Sequence, residues 1–265
     1  MPKKISFVLS IAGSDSGAGA GIQSDIKTFH NHGVFGLTAL TAVTAQNTLG
    51  VQKTFELPLE IIDAQLKSLF DDYDITVVKT GMLSSSKVVE IVCEHLRNKA
   101  NLKIIVDPVI LSKNSFTLLS EKGIGVLKSK LLPLSYLVTP NIHEAEVLSG
   151  INIGSAEDIE TAAKEIYNFG CKHVLIKGGH LEKKTGIAKG TDILYNGEKF
   201  ALFSTKLVKS KHTHGIGCVL SSAIASNLAL GYSLKRSIAL AKAYIVKSLE
   251  RTHSIGKGYG PVEQV

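Results

Sequence analysis

His212–Gly231 reads HTHGIGCVLSSAIASNLALG. Leu220, Ile224 and Leu228 recur every four residues, the spacing of one buried helix stripe. The small residues Ala223 and Ala225 lie between them. Before the helix comes Thr213-His214-Gly215-Ile216-Gly217-Cys218. A Gly-x-Gly loop opening a helix leaves several N–H groups pointing outward at the positive end of the helix dipole, which makes an anion site. Cys218 falls in the first turn, where a thiol loses pKa and becomes a candidate base or nucleophile. The plainer reading is a tight turn before a core helix, with Cys218 a small buried hydrophobe.

Upstream, strand and helix patterns alternate. Ile5–Ala12 reads as a buried strand, and Ile22–His30 reads as a helix with Ile22, Ile26 and Phe29 on one face. Between them runs the glycine-rich loop Gly13–Gly21, which has neither the Lys-Ser/Thr of a Walker loop nor a GxGxxG fingerprint. Val34–Thr48 is β-branched and nearly uncharged, and reads as one or two strands ending in Gln46-Asn47-Thr48. Those amides either cap a turn or offer paired donors and acceptors to a heterocycle edge. Helices are expected over Leu59–Phe70, Lys87–Leu96, within Leu118–Leu132, over Ser155–Gly170 and over Ser233–Leu249. Strands are expected over Ile75–Lys79, Ile104–Asp107, Tyr136–Thr139 and Val174–Ile176. Asn196-Gly197 between two short strands predicts a hairpin. The polar segment Leu181–Gly190 reads as a flap.

This alternation predicts one α/β domain over residues 1–265, with a mostly parallel central sheet and helices on both faces. Candidate ligand groups follow strands, where such sheets bind ligands. Met82 and Asp107 sit at strand ends; each has an ordinary structural reading, as core and as a loop holder. Asn141 and Glu144 are three apart, which suits a capping box and equally a pair facing a ligand. Lys177 before two glycines can reach a phosphate while the backbone approaches closely.

The chain has 265 residues, 44% of them hydrophobic, and a formal charge of +7. The positive charge is scattered. It suits anionic small substrates and gives no clustered patch for nucleic acid. Three cysteines lie far apart with no CxxC spacing, which favours a reducing compartment over a disulfide scaffold or zinc site. The apolar run near the start is too short for a membrane span, so a cytoplasmic protein with no membrane partner is expected.

The loop-helix around Cys218 resembles the signature of ribokinase-like small-molecule kinases, in which it forms the anion hole for the transferred phosphoryl group. Most of that superfamily carries Asp where this chain has Cys218. The Cys form, preceded by Thr213-His214-Gly215, is similar to the hydroxymethylpyrimidine/phosphomethylpyrimidine kinases of thiamine biosynthesis and to some pyridoxal kinases. AGSDSGAGAGIQSD, residues 12–25, resembles the same family's N-terminal signature, and Thr-Pro-Asn-x-x-Glu at 139–144 its magnesium/phosphate motif. The chain departs from the family at Ile216, where Thr is usual, and at 110–115, where Met-Val-Ala-Lys-Ser-Gly becomes Ile-Leu-Ser-Lys-Asn-Ser. The terminal Gly256–Pro261 segment lacks the family's His residues.

The resemblance implies a ribokinase-like fold, ATP as co-substrate and Mg2+. It implies phosphorylation of 4-amino-5-hydroxymethyl-2-methylpyrimidine to the monophosphate and then the diphosphate. Cys218 with Gly215, Ile216 and Gly217 would be catalytic, and a helix N-terminus that lowers the thiol pKa is expected. Gly13, Asp25, Val43, Gln46 and Met82 would bind the pyrimidine. Lys177, Asn141, Glu144 and Thr213 would bind nucleotide and phosphate, with Glu144 and Asp107 at the metal. A homodimer is also implied. The alternatives are a pyridoxal kinase of the same Cys-containing subgroup and a non-catalytic pyrimidine sensor.

Overall fold

The computed structural model describes residues 5–99, 101–112, 116–178 and 188–264. The strands are β1 (Phe7–Asp15), β2 (Phe35–Asn47), β3 (Gly50–Glu56), β4 (Val77–Thr80), β5 (Lys103–Val106), β6 (Leu137–Val138), β7 (Val174–Ile176), β8 (Thr191–Tyr195) and β9 (Phe200–Ser204). The helices are α1 (Gly21–Asn31), α2 (Leu59–Asp72), α3 (Ser86–Leu96), α4 (Glu121–Val126), α5 (Ile142–Ser149), α6 (Ala156–Asn168), α7 (Ile216–Ala229) and α8 (Leu234–Glu250).

The described strands form one sheet in the order β3-β2-β1-β4-β5-β6-β7-β8-β9. Strands β2, β1, β4, β5, β6 and β7 run parallel. β3 pairs antiparallel at one edge, and the β8–β9 hairpin closes the other. The expected mostly parallel sheet is therefore present.

Strand alternation builds two cores. Leu9, Val78, Ile104, Val138 and Val174 point to one face, where α2, α3, α5 and α6 pack. Their neighbours Val8, Val77, Ile105, Leu137 and Leu175 point to the other, where α1, α7 and α8 pack. Both faces are covered, so these strands read as continuous apolar runs.

Three features differ from the sequence reading. Val34–Thr48 holds one strand, Phe35–Asn47, within the reading of one or two, but the β3 that folds back on it is unexpected. The helix sought in 118–132 is short: α4 ends at Val126, then a π-turn over Leu127–Leu131 and a 3-10 turn over Leu132–Leu134 follow. Pro133, with no N–H, cannot continue a helix. Finally, α7 buries every residue from Val219 to Leu228 rather than one stripe. It lies between the sheet, α1 and α8, which is why its buried residues are small serines, alanines and aliphatics, with Asn227 satisfied by donating to the Ala223 carbonyl at 2.8 Å.

The chain leaves β1 outward to β2 and β3, then returns to β4 on the other side of β1. That reversal opens a crevice beyond the carboxyl ends of β1, β4 and β5. Phe29 packs the end of α1 against the start of β2 and is fully buried. Phe29→Ala is expected to destabilise the fold by about 3–5 kcal/mol; a midpoint in chemical denaturation unchanged from the parent would contradict this packing.

Candidate active site

The crevice is a cavity of about 700 Å³. Its walls include Gly13, Gln46, Met82, Asp107, Asn141, Glu144, Lys177, Thr213 and Gly215–Cys218. These residues come from separate parts of the chain, brought together by the strand ends that carry them.

One wall is the start of α7. Its first N–H groups have no partner within the helix. The N-cap Gly215 has φ +82°, and a Cβ there would meet the Gly19 carbonyl oxygen at 1.8 Å. Only glycine allows the two loops to touch. A Cβ on Gly19 would in turn meet His214 Cδ2 at 2.5 Å. The Gly13–Gly21 loop therefore lies directly against the loop that opens α7.

Asp15 holds this contact. Its carboxylate accepts the N–H groups of Gly17, Gly19 and Ala20 at 2.8, 3.1 and 2.8 Å. His214 Nε2 lies 2.9 Å from Asp15 Oδ2. Sequence reading placed both residues in loops and assigned neither a task. Gln46, at the end of β2, reaches the same histidine at 3.1 Å.

Beneath α7 lies a fully buried ion pair. Lys79 Nζ donates to both oxygens of Asp25, at 3.0 and 2.9 Å. Ser10 and Ser222 donate to the same carboxylate at 2.5 and 2.6 Å. Burial alone would lower the Lys79 pKa; the Asp25 carboxylate outweighs it and holds the amine above its usual range. Asp25 was expected in the substrate pocket. It is instead buried behind Lys79, and Lys79 lines the cavity in its place. Lys79 carried no signal, because a lysine inside an apolar strand looks like an edge.

A second pair lies across the cavity. Lys177 Nζ donates to Asp107 Oδ1 at 2.9 Å and sits 3.9 Å from Glu144 Oε2. Burial opposes the charge on Lys177, but the two carboxylates keep its pKa raised. Burial also raises Glu144, helped by Asp107 and opposed by Lys177. At 3.9 Å the lysine is a weaker partner to Glu144 than to Asp107, so burial prevails. Asn141 and Glu144 form a complete capping box: Glu144 N–H donates to Asn141 Oδ1 at 2.9 Å, and Asn141 N–H to Glu144 Oε2 at 2.8 Å. The pair caps α5 and faces the cavity at once.

Two further expectations need correcting. Val43 is 41% exposed and does not line this cavity. It points to the outer face of β2, while Ala42 and Thr44 turn inward, as the two-residue period requires. The Cys218 thiol is not lowered. Burial pushes it up to about 11; Lys79 lowers it, but Asp25 and Asp107 act with the burial. Lys113 and residues 179–187, which include most of the anticipated flap, lie outside the described residues.

A helix N-terminus facing buried lysines at the switch point of a parallel sheet is the arrangement of a ribokinase-like small-molecule kinase. The chain belongs to the phosphomethylpyrimidine kinase family, whose model matches residues 15–263. It is 42% identical over 253 residues to the hydroxymethylpyrimidine/phosphomethylpyrimidine kinase of Bacillus subtilis, covering 96% of this chain and 92% of that protein. It is 43% identical over 258 residues, or 97% of its length, to the thiamine biosynthesis bifunctional protein ThiED of Geobacter sulfurreducens, of which it spans about half (52%). The structure superposes on a Bacillus subtilis pyridoxal kinase in complex with ADP with a TM-score of 0.90 at 33% identity, covering 98% of each chain. It superposes on the phosphomethylpyrimidine kinase of Clostridium difficile with a TM-score of 0.80 at 40% identity, covering 93% of this chain and 100% of that one.

Gly215→Ala tests the anion cradle. The added methyl forces the Gly13–Gly21 loop off α7, so phosphoryl transfer should fall by roughly a hundredfold or more. Circular dichroism should stay native, because the clash is confined to two loops. A near-parental kcat would show that the contact does not shape the site.

Proposed function

We propose that this chain transfers the γ-phosphoryl group of ATP to the hydroxymethyl group of 4-amino-5-hydroxymethyl-2-methylpyrimidine, and then phosphorylates the monophosphate to the diphosphate. The observation that carries the proposal is one cavity that joins the α7 N-terminus and Cys218 to Gln46 and Met82. Anion cradle and heterocycle wall thus share one space. Phosphoryl transfer asks a protein mainly for positioning and charge stabilisation, and those are what this site supplies.

In this reading the N–H groups of Gly215, Ile216, Gly217 and Cys218 hold the transferred phosphoryl group. Lys177 adds charge from the side and Thr213 borders the phosphates. Met82, with its Sδ 3.0 Å from where a Gly13 Cβ would stand, walls the flat ring. Asp107 and Glu144 are the candidate magnesium ligands. They fit: two buried carboxylates face the cavity, and among the described residues no three His, Cys, Asp or Glu side chains converge on one point. A magnesium ion that arrives with a nucleotide needs only one or two carboxylates. When bound, it would neutralise charge on the triphosphate.

Cys218 stands where the substrate hydroxyl loses its proton. With its pKa near 11 the thiol is mostly protonated at neutral pH. Only a minor thiolate fraction can act as base, and that fraction grows as pH rises toward 11. The second acceptor is already a phosphate, so it needs no base.

The first test is ATP-dependent phosphorylation of the pyrimidine alcohol and of pyridoxal side by side, with products resolved by mass. Pyrimidine mono- and diphosphate should dominate. Preference for pyridoxal, the second reading supported by backbone likeness to pyridoxal kinases, would keep the fold and overturn the substrate. No ATP turnover and no phosphorylated product with either alcohol would favour a non-catalytic sensor.

Cys218→Ala should lower the first phosphorylation by roughly a hundredfold, within the range of general-base effects, and the second far less. In the parent, the first step should accelerate between about pH 7 and pH 10, since the base form accumulates as the proton leaves. In Cys218→Ala that rise should vanish. Equal losses in both steps would refute this division of labour.

A further inference from the structure

Gln46 sits between two neighbours whose hydrogens are already committed. On one side is the Asp15–His214 pair. A carboxylate that accepts three backbone N–H groups is ionised. Burial raises the Asp15 pKa, but His214 and these N–H groups outweigh it and hold it below its ordinary value of 3.8. An ionised carboxylate only accepts. His214 Nε2, 2.9 Å from Asp15 Oδ2, must therefore carry a proton. The Gln46 amide atom 3.1 Å from that same Nε2 must then be an acceptor.

On the other side is Thr44. Its hydroxyl has a single hydrogen, and it donates this to the Ser14 carbonyl at 2.9 Å. With its hydrogen on the Ser14 carbonyl, the shorter of its two contacts, Thr44 Oγ1 can accept from the Gln46 amide atom 3.2 Å away. The His214 end decides the orientation, and the Thr44 hydroxyl, turned to Ser14, accommodates it. Oε1 faces His214 and Nε2 faces Thr44, the reverse of a placement that sets Nε2 against His214. Amide nitrogen and oxygen are nearly isosteric, so the hydrogen-bond network is what assigns them. The Gln46 backbone is held as well: its N–H donates to Ser16 Oγ at 2.9 Å, and Ser16 Oγ donates to its carbonyl at 2.8 Å.

We infer that Asp15 and His214 are specificity-determining positioning residues, which lock the Gln46 amide with its carbonyl toward His214 and its NH2 toward Thr44. The locked amide has one lone pair on Oε1 and one N–H left over. It faces the cavity with an acceptor beside a donor in a fixed order. The matching ligand edge is an exocyclic amine next to a ring nitrogen, as in a 4-aminopyrimidine. The amine donates to Oε1 and the ring nitrogen accepts from Nε2. A pyridine aldehyde such as pyridoxal has no amine beside its ring nitrogen, so it leaves Oε1 without a ligand partner in a half-buried site, which disfavours it. This inference rests on the aminopyrimidine reading of the cavity, but the lock itself does not depend on what the cavity binds.

The lock is tested first without substrate. In protein labelled with 15N histidine, long-range 1H–15N correlation spectra report which ring nitrogen is protonated. The His214 signals are assigned by their loss in His214→Gln. A protonated Nε2 is expected. A bare Nε2 on a neutral ring overturns the lock, whatever the enzyme phosphorylates. Kinetics then test the consequence. Asp15→Asn removes the demand for the Nε2 proton, and Gln46→Glu keeps an acceptor toward His214 but loses the donor. Each should raise KM for the pyrimidine alcohol roughly tenfold, lower the pyrimidine-to-pyridoxal ratio of kcat/KM by a similar factor, and leave KM for ATP unchanged. Equal increases in both KM values in Asp15→Asn would indicate simple loosening of the loop and overturn the specificity role. So would parental pyrimidine kinetics in Gln46→Glu. A protonated Nε2 with no turnover of either alcohol would retain the lock and refute the substrate reading alone.

Discussion

The site depends on one constraint: α7 is buried along its length, yet its first N–H groups cannot be satisfied within the helix. A helix end enclosed by protein must find acceptors elsewhere or be costly. Here the end opens on the cavity, where an anionic ligand would satisfy it. The αL conformation of Gly215 and the bare Cα of Gly19 bring the first glycine loop against this end. Neither loop makes the site alone. β1 delivers one and α7 the other, and the parallel register of β1 with β2 and β4 puts both at the same edge of the sheet.

The second constraint is charge. Asp15, Asp25, Lys79, Asp107, Glu144 and Lys177 are all buried or nearly so, within one region of the fold. Ion pairs in such surroundings add little net stability, because desolvation offsets their attraction. Their effect is on geometry. Asp25 binds Lys79, Ser10 and Ser222, and so ties β1, β4 and α7 together at one carboxylate. Asp107 accepts from Lys177 and from Ser221, tying β7 to the turn of α7 just past Cys218. The second turn of α7 is thus fixed on two sides by the adjacent Ser221 and Ser222.

Much of this was legible in the sequence because it is local. Strand-helix alternation, the Gly-x-Gly helix start and the Asn-x-x-Glu cap each occupy a few adjacent residues. What escaped is non-local. The Lys79–Asp25 pair joins residues 54 apart, and His214–Asp15 joins residues 199 apart. No periodicity signals such pairs. Val43 shows a different failure: in a strand of mixed burial, the side chain that faces the ligand depends on register, and a shift of one residue reverses it. The Cys218 pKa was misjudged because only the helix start was visible. Burial, the main cause of the rise, and the carboxylates of Asp25 and Asp107, which add to it, come from the packing of other strands and helices.

A thiol at position 218 makes physical sense in this company. A carboxylate there, as in most ribokinase-like kinases, would add a negative charge beside Asp25 and Asp107. Lys79 and Lys177 are already committed to those two residues. It would also repel an acceptor that is itself a phosphate. A thiol with a raised pKa stays neutral in the resting site, so it tolerates an anionic acceptor, and only its minor thiolate form would take a proton from an alcohol. For one cavity that would phosphorylate first an alcohol and then a phosphate, a thiol uncharged at rest is the condition that lets both acceptors occupy the same place.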